Sequence, residues 1–183
     1  ARCDQGDGGC PGGERLTGRR VRGEGVRESA LGSGSVRAMA ADARALWLLV
    51  ADADGSVARL ERRDPRTARL FGTTRLPRRA ISGLAVTPRR AWVLTRNRQL
   101  LAVDRAGRVR RALGRVTAVV AQGDQLWALR SGGRALVNLH PRTGRVRSSA
   151  PVRRPLAPRL TFTRSYVWGL EASGRAAVRL PRA

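Results

Sequence analysis

Lysine is missing from this 183-residue chain, histidine occurs once, and only three acidic residues follow position 64. All 37 basic side chains are therefore arginine. Aromatic residues make up 4% of the chain, and four of the seven are tryptophan. No apolar run approaches the 18 residues that a membrane-crossing helix requires, so no transmembrane segment is expected. The opening stretch, ARCDQGDGGCPGG, has neither a methionine nor the apolar centre of a secretory leader, and the chain reads as a mature or excised piece. The GxSxG, phosphate-loop, CxxC and HExxH patterns are absent as well. Nothing in this inventory calls for a cofactor.

Cysteine is scarce too: Cys3 and Cys10 are the only two, and both fall in a Gly-rich arm. A zinc site needs about four ligands, and no histidine or further cysteine lies nearby to complete one. The pair reads as a small disulfide loop, which places the chain in an oxidising compartment, secreted or extracytoplasmic. Two free thiols in an arm are the alternative.

The charge is large and unevenly placed. Residues 1–64 hold 11 arginines against 10 acids, whereas residues 65–183 hold 26 against 3. An excess of this kind suits an anionic polymer as partner, such as nucleic acid, acidic lipid or a cell-wall polyphosphate. A GC-rich genome accounts equally for arginine in place of lysine, although not for the shortage of acids after residue 64. The arginines are scattered between predicted strands and form no single run.

What the chain does have is a repeated phrase. VRAMAADARALWLL, ISGLAVTPRRAWVL, VTAVVAQGDQLWAL and APRLTFTRSYVWGL align without a gap, each ending in Trp, one variable residue and Leu. Trp47, Trp92, Trp127 and Trp168 are spaced 45, 35 and 41 residues apart. In the second copy Leu84, Val86, Trp92 and Leu94 fall at even spacing around TPRR, where Pro88 would break a helix. Two period-2 strands joined by a four-residue turn follow, with those four side chains on one face. Met39, Val119 and Leu160 take the place of Leu84, and Leu49, Leu129 and Leu170 that of Leu94.

A second phrase follows each of the first three copies: VARLERRDPRTARL, LLAVDRAGRV and ALVNLHPRTGRV. Each reads as strand, turn and strand. Asp64, Asp104 and His140 enter the turns, where a short polar side chain can bond the turn amides, and Gly144 can take a positive φ. The result is an all-β chain of four-stranded antiparallel units of about 40 residues, the pattern of a β-propeller with about four blades. The four tryptophans are then large fillers of a recurrent gap between blades, and all four are expected to be largely buried at equivalent strand positions.

The units run over 36–79, 80–115, 116–156 and 157–183, and the last has only three strands. The segment Val26–Leu31 is a candidate fourth strand, pairing with Ala177–Leu180 to close a small ring. The alternative is part of a larger propeller. Residues 1–25 are assigned to an arm or linker and 26–183 to the repeat domain.

The phrases LAVTPRRAWVL, VVAQGDQLWAL and DPRTARL/HPRTGRV resemble the NHL/YVTN-type propellers, and within them the virginiamycin B lyase-like proteins of actinobacteria. The resemblance covers about residues 36–183. It implies a propeller fold and, for a lyase, a histidine base near carboxylates holding a divalent metal. The only candidate, His140, stands where the sibling turns carry aspartate, so no catalytic residue is assigned and no enzyme activity is expected. Asp52 and Asp54 have the look of a calcium-type turn, but a β-turn ahead of Gly55 explains them equally, and no metal site is assigned. The chain reads as a non-enzymatic, extracytoplasmic binding or sensory module for an unidentified protein or cell-envelope ligand. Arg66, Arg89, Arg90 and Arg142, in the turns, are the candidate binding residues, as forks for phosphate or carboxylate. A polyanion-binding protein with weak affinity, and a lyase-like or hydrolytic enzyme, are the other readings.

Overall fold

The computed structural model of the chain describes residues 34–51, 58–76, 80–163 and 166–181. The first sheet contains β1 (Ser35–Asp42), β2 (Ala45–Ala51), β3 (Ala58–Arg63) and β4 (Leu70–Leu76), paired in sequence order. The second contains β5 (Ala80–Thr87), β6 (Arg90–Thr95), β7 (Leu100–Asp104) and β8 (Val109–Leu113). β9 (Val116–Gln122), β10 (Gln125–Arg130), β11 (Ala135–Leu139) and β12 (Val146–Pro151) form the third. The fourth has three strands, β13 (Leu156–Phe162), β14 (Tyr166–Glu171) and β15 (Ala177–Pro181). Every pairing is antiparallel between consecutive strands. These are propeller blades, and their limits follow the repeat.

The blades stack through their first strands: β1 lies beside β5, β5 beside β9, and β9 beside β13. Three apolar clusters fill the three gaps so formed. Trp47 and Leu49 meet Val86, Ala91 and Val93 in the first. Trp92 and Leu94 meet Leu126 and Ala128 in the second, and Trp127 and Leu129 meet Leu156 and Val167 in the third. Fourth strands lie outermost: β4 and β12 are exposed along most of their length. No comparable packing joins β13 to β1 among the described residues, so the four blades form an arc. Val26–Leu31, and with it the proposed closing strand, lies outside the described residues. So do Cys3, Cys10, Asp52, Asp54 and the arm 1–25.

One expectation needs correction. Leu84 and Val86 do not share a face with Trp92 and Leu94: the former point to the first blade and the latter to the third. The reason is the hairpin. Thr87 pairs with Arg90, leaving a two-residue turn at Pro88–Arg89, and this sets Ala85, not Leu84, opposite Trp92. Both faces of a middle blade are buried, so apolar residues at either parity satisfy the fold. Trp168 is the least buried of the four tryptophans, whereas Trp47, Trp92 and Trp127 are at most 3% exposed. Its strand position is equivalent, and its indole N–H donates to Thr163 Oγ1 at 3.2 Å, as Trp92 does to Thr87 Oγ1 at 3.1 Å. What differs is that no further described blade follows the fourth.

The turn of the third blade shows how a tryptophan is covered. Gly144 has φ +73°, and a Cβ there would stand 2.8 Å from Ala112 Cβ and 3.0 Å from the Trp92 ring. The turn can lie flat on the indole only because position 144 has no side chain. Gly144→Ala should therefore cost about 2–4 kcal/mol, overpacking added to left-handed strain. Gly123→Ala, at φ +54° with open space around it, should cost about 1 kcal/mol. Equal shifts in the denaturation midpoint would show that crowding on Trp92 plays no part.

Candidate functional site

Hairpin geometry sends the first and third turns of each blade to the same face of the arc, and the second turn to the other. On the first face the turns of the first three blades surround an open cavity of about 890 Å³. Its walls are Asp42–Arg44 from the first blade, Pro88–Arg90, Asp104–Ala106 and Arg108 from the second, and Asp124 and Arg142 from the third. Six arginines stand against three aspartates in this lining.

Four of the turns on this face are held by the same device, and the device consumes most of the acids there. Asp42 Oδ1 accepts from the amides of Arg44 and Ala45 at 2.7 and 2.9 Å. Asp64 Oδ1 accepts from Arg66 and Thr67, both at 2.8 Å. Asp104 Oδ1 takes the amides of Ala106 and Arg108 at 2.9 and 3.0 Å, while its Oδ2 meets Arg108 Nε at 2.7 Å. Backbone amides hold the Asp64 carboxyl below its ordinary pKa. For Asp104 partial desolvation pushes upward, but the bonds from Arg108 outweigh it and the net shift is down. His140 does the work of these aspartates: its Nδ1 accepts from the amides of Arg142 and Thr143 at 3.2 and 3.3 Å. The histidine thus sits in the turn position that internal comparison assigned to it.

Arg105 forms the floor. Its Nη2 donates to the Pro88 carbonyl at 2.8 Å and lies 3.8 Å from Asp42 Oδ2, while its own carbonyl accepts from Arg62 Nη1 at 2.7 Å. One side chain therefore ties the turns of two blades together. Asp42 Oδ2 and Arg105 Nε are nevertheless buried without a hydrogen bond, and such groups normally find a partner. By contrast Arg44, Arg89, Arg90 and Arg142, which stand at the rim, make no side-chain hydrogen bond or ion pair among the described residues.

Of the four arginines expected to bind, the structure brings Arg89, Arg90 and Arg142 together at this cavity. Arg66, in the β3–β4 turn, does not line it, because that turn belongs to the first blade's outer strands and has no preceding described blade to lean on. Sequence reasoning missed Arg44, Arg105 and Arg108. Arg44 was within reach of it, since Arg44 and Arg89 both stand three residues before a repeat tryptophan. The arginines are not confined to this face: Arg96, Arg98, Arg134, Arg153 and Arg175 lie toward the opposite one. The cavity, not the charge alone, distinguishes the first face. Among the described residues no three His, Cys, Asp or Glu side chains converge as a metal site would require.

No protein-family model matches the chain, and no curated protein is significantly similar in sequence. Solved structures do resemble it. BamB from Moraxella catarrhalis matches 74% of this chain with 40% of its own, at 15% identity and a TM-score of 0.55. BBS1N, solved in complex with ARL6DN, matches 79% with 46% of its own, at 17% identity and a TM-score of 0.58. The computationally designed Ika4 protein matches 82% with 92% of its own, at 11% identity and a TM-score of 0.60. The fold is that of a β-propeller. The chain spans less than half the length of BamB and of BBS1N, and at these identities the likeness extends to architecture alone.

Proposed function

We propose that this chain is a binding module, acting outside the cytoplasm, that takes a phosphate or carboxylate group of its ligand into the arginine-rimmed cavity. One observation carries the reading: four guanidinium groups from three blades, unpaired among the described residues, converge on a cavity whose floor keeps two buried polar atoms without partners there. Guanidinium forks match the geometry of both anions and stay charged at any physiological pH. BBS1N, a similar propeller, was solved bound to ARL6DN, and a rigid disk with functional turns suits a recognition role here as well. Placement outside the cytoplasm rests on the two cysteines of the sequence.

The test is titration with fluorescent inorganic polyphosphate. Replacing Arg89, Arg90 and Arg142 with alanine should weaken binding about tenfold or more, because a charged hydrogen bond contributes roughly 1.5–3 kcal/mol. Alanine at Arg96, Arg153 and Arg175, on the other face, removes the same charge and should change affinity less than about threefold, as expected for long-range charge screened by salt. Equal losses in the two triple variants would mean that net charge, and not the cavity, binds the probe. Affinity should also fall steeply with salt, since each neutralised phosphate releases counterions.

A further inference from the structure

The first gap between blades departs from the repeat in two places. In the second gap the turn of the third blade lies on the tryptophan: a Cβ at Gly144 would stand 3.0 Å from the Trp92 ring. That turn runs from the His140 amide to the Arg145 carbonyl, whereas the corresponding turn of the second blade closes one residue earlier, from Asp104 to Arg108. The shorter turn comes down on Thr74, where a Cβ at Gly107 would meet the hydroxyl at 2.8 Å. It leaves a recess of about 170 Å³ beside Trp47. The second departure lies across the sheet. The residue paired with the tryptophan is Ala102 on the second blade and Arg62 on the first.

Arg62 stands next to a β-bulge. Gly72 faces Arg62 and Leu70 faces Arg63, so Phe71 has no strand partner of its own, and a bulge of this kind re-aims a side chain. The Phe71 ring lies 5.6 Å from the Arg62 guanidinium and 5.9 Å from that of Arg69, and it remains 39% exposed. Phe71 and Arg62, with Arg44 and Arg105, line an opening of about 260 Å³. Arg105 borders this opening, the recess and the 890 Å³ cavity, so the three meet around one side chain. A Cβ at Gly72 would meet no described atom within 4 Å, and the slot is not filled from that side.

We propose that this slot takes a planar heteroaromatic ring of nucleobase type, carried by the same ligand whose phosphate or carboxylate occupies the arginine-rimmed cavity. The subsite rests on the anion reading and supplies the other half of the ligand. Aromatic rings and guanidinium planes both stack on flat π systems, and Phe71 and Arg62 provide one of each. Arg62 is held in place, because its Nη1 donates to the Arg105 carbonyl at 2.7 Å. A hydrocarbon occupant suits these walls poorly. Four buried side-chain polar atoms lack a partner among the described residues, and three of them, on Asp42, Trp47 and Arg105, belong to residues lining the openings. A ring with nitrogen and carbonyl edges is the better match.

Calorimetric titration of the full chain compares adenosine monophosphate with ribose 5-phosphate, which share the phosphate and sugar and differ by the base. The nucleotide should bind about tenfold more tightly, the order expected for stacking one base. Phe71→Ala should bring the two affinities within about twofold of each other, and Phe71→Tyr should keep the preference. Gly72→Val fills the slot from a strand position that suits valine, so it should abolish the preference without lowering the thermal midpoint. Equal affinities for nucleotide and sugar phosphate in the wild type would overturn the inference. So would a preference that survives both Phe71→Ala and Gly72→Val. Polyphosphate has no ring and reports on the cavity alone. If it binds while the base adds nothing, the ring subsite falls and the anion reading stands; if polyphosphate and both esters fail to bind, the anion reading falls with it.

Discussion

Trp92→Ala should lower unfolding free energy by about 3–5 kcal/mol, whereas Trp168→Ala should cost about 1–2 kcal/mol, although the two residues hold the same place in the repeat. Trp92 is fully buried between the second and third blades, with Ala112 and the Gly144 turn against it. Alanine there leaves a cavity that two rigid sheets cannot collapse to fill, and it strips Thr87 Oγ1 of the indole donor 3.1 Å away. Trp168 makes the equivalent bond to Thr163, yet it is less buried than the other three. The comparison also separates packing from hydrogen bonding. Trp47 and Trp127 bury their indole N–H without a partner, because Asp42 and Gln122 stand where Thr87 and Thr163 supply a hydroxyl. What all four sites have in common is the bulk of the ring. Trp92→Phe, which keeps most of the bulk, should therefore recover most of the loss in a denaturant titration. A loss as large as that of alanine would make the Thr87 bond the main term.

The period and the turns were legible because each is a local matter. Four tryptophans in register, Pro88 in a hairpin and aspartates entering turns are written in adjacent residues, and the four units coincide with the four sheets. Face assignment was harder. A four-residue turn at TPRR and the observed two-residue turn share one register, in which Ala85 stands opposite Trp92, so even spacing carried across the hairpin puts Leu84 on the other face. Apolar residues at both parities gave no warning, since middle blades are buried on both sides. The cavity lay further out of reach. Arg105 matters because it reaches the Pro88 carbonyl, seventeen positions earlier in the chain, and the turn of a neighbouring blade. Contacts of that kind appear only once blades are stacked. The exposure of Trp168 has the same origin: a repeat written identically four times meets a neighbour only three times.

The other large expected effect lies on the first blade, where Glu61→Gln should cost about 3–5 kcal/mol at neutral pH. Glu61 is 4% exposed, on the opposite side of β3 from the core residue Leu60. Arg59 Nε donates to Oε1 at 2.8 Å, and Arg63 holds Oε2 through Nε at 2.9 Å and Nη2 at 2.8 Å. Arg63 also reaches the carbonyl of Ala68 at 2.9 Å, so the cluster anchors the β3–β4 turn. Burial by itself would raise the carboxyl pKa, but the two arginine bonds outweigh it, and the folded value lies below the ordinary 4.5. A depressed folded pKa means that the ion cluster contributes fully above the unfolded carboxyl range. The contribution is lost as pH falls through the lower folded value. Glutamine keeps the shape and removes the charge, leaving two partly buried guanidinium groups with a weaker acceptor. The wild type should therefore lead the variant by a constant margin at pH 6–7, with the two stability curves drawing together below about pH 4. A margin that persists unchanged at pH 3 would mean that packing of the glutamate side chain, and not its charge, holds this face of the blade.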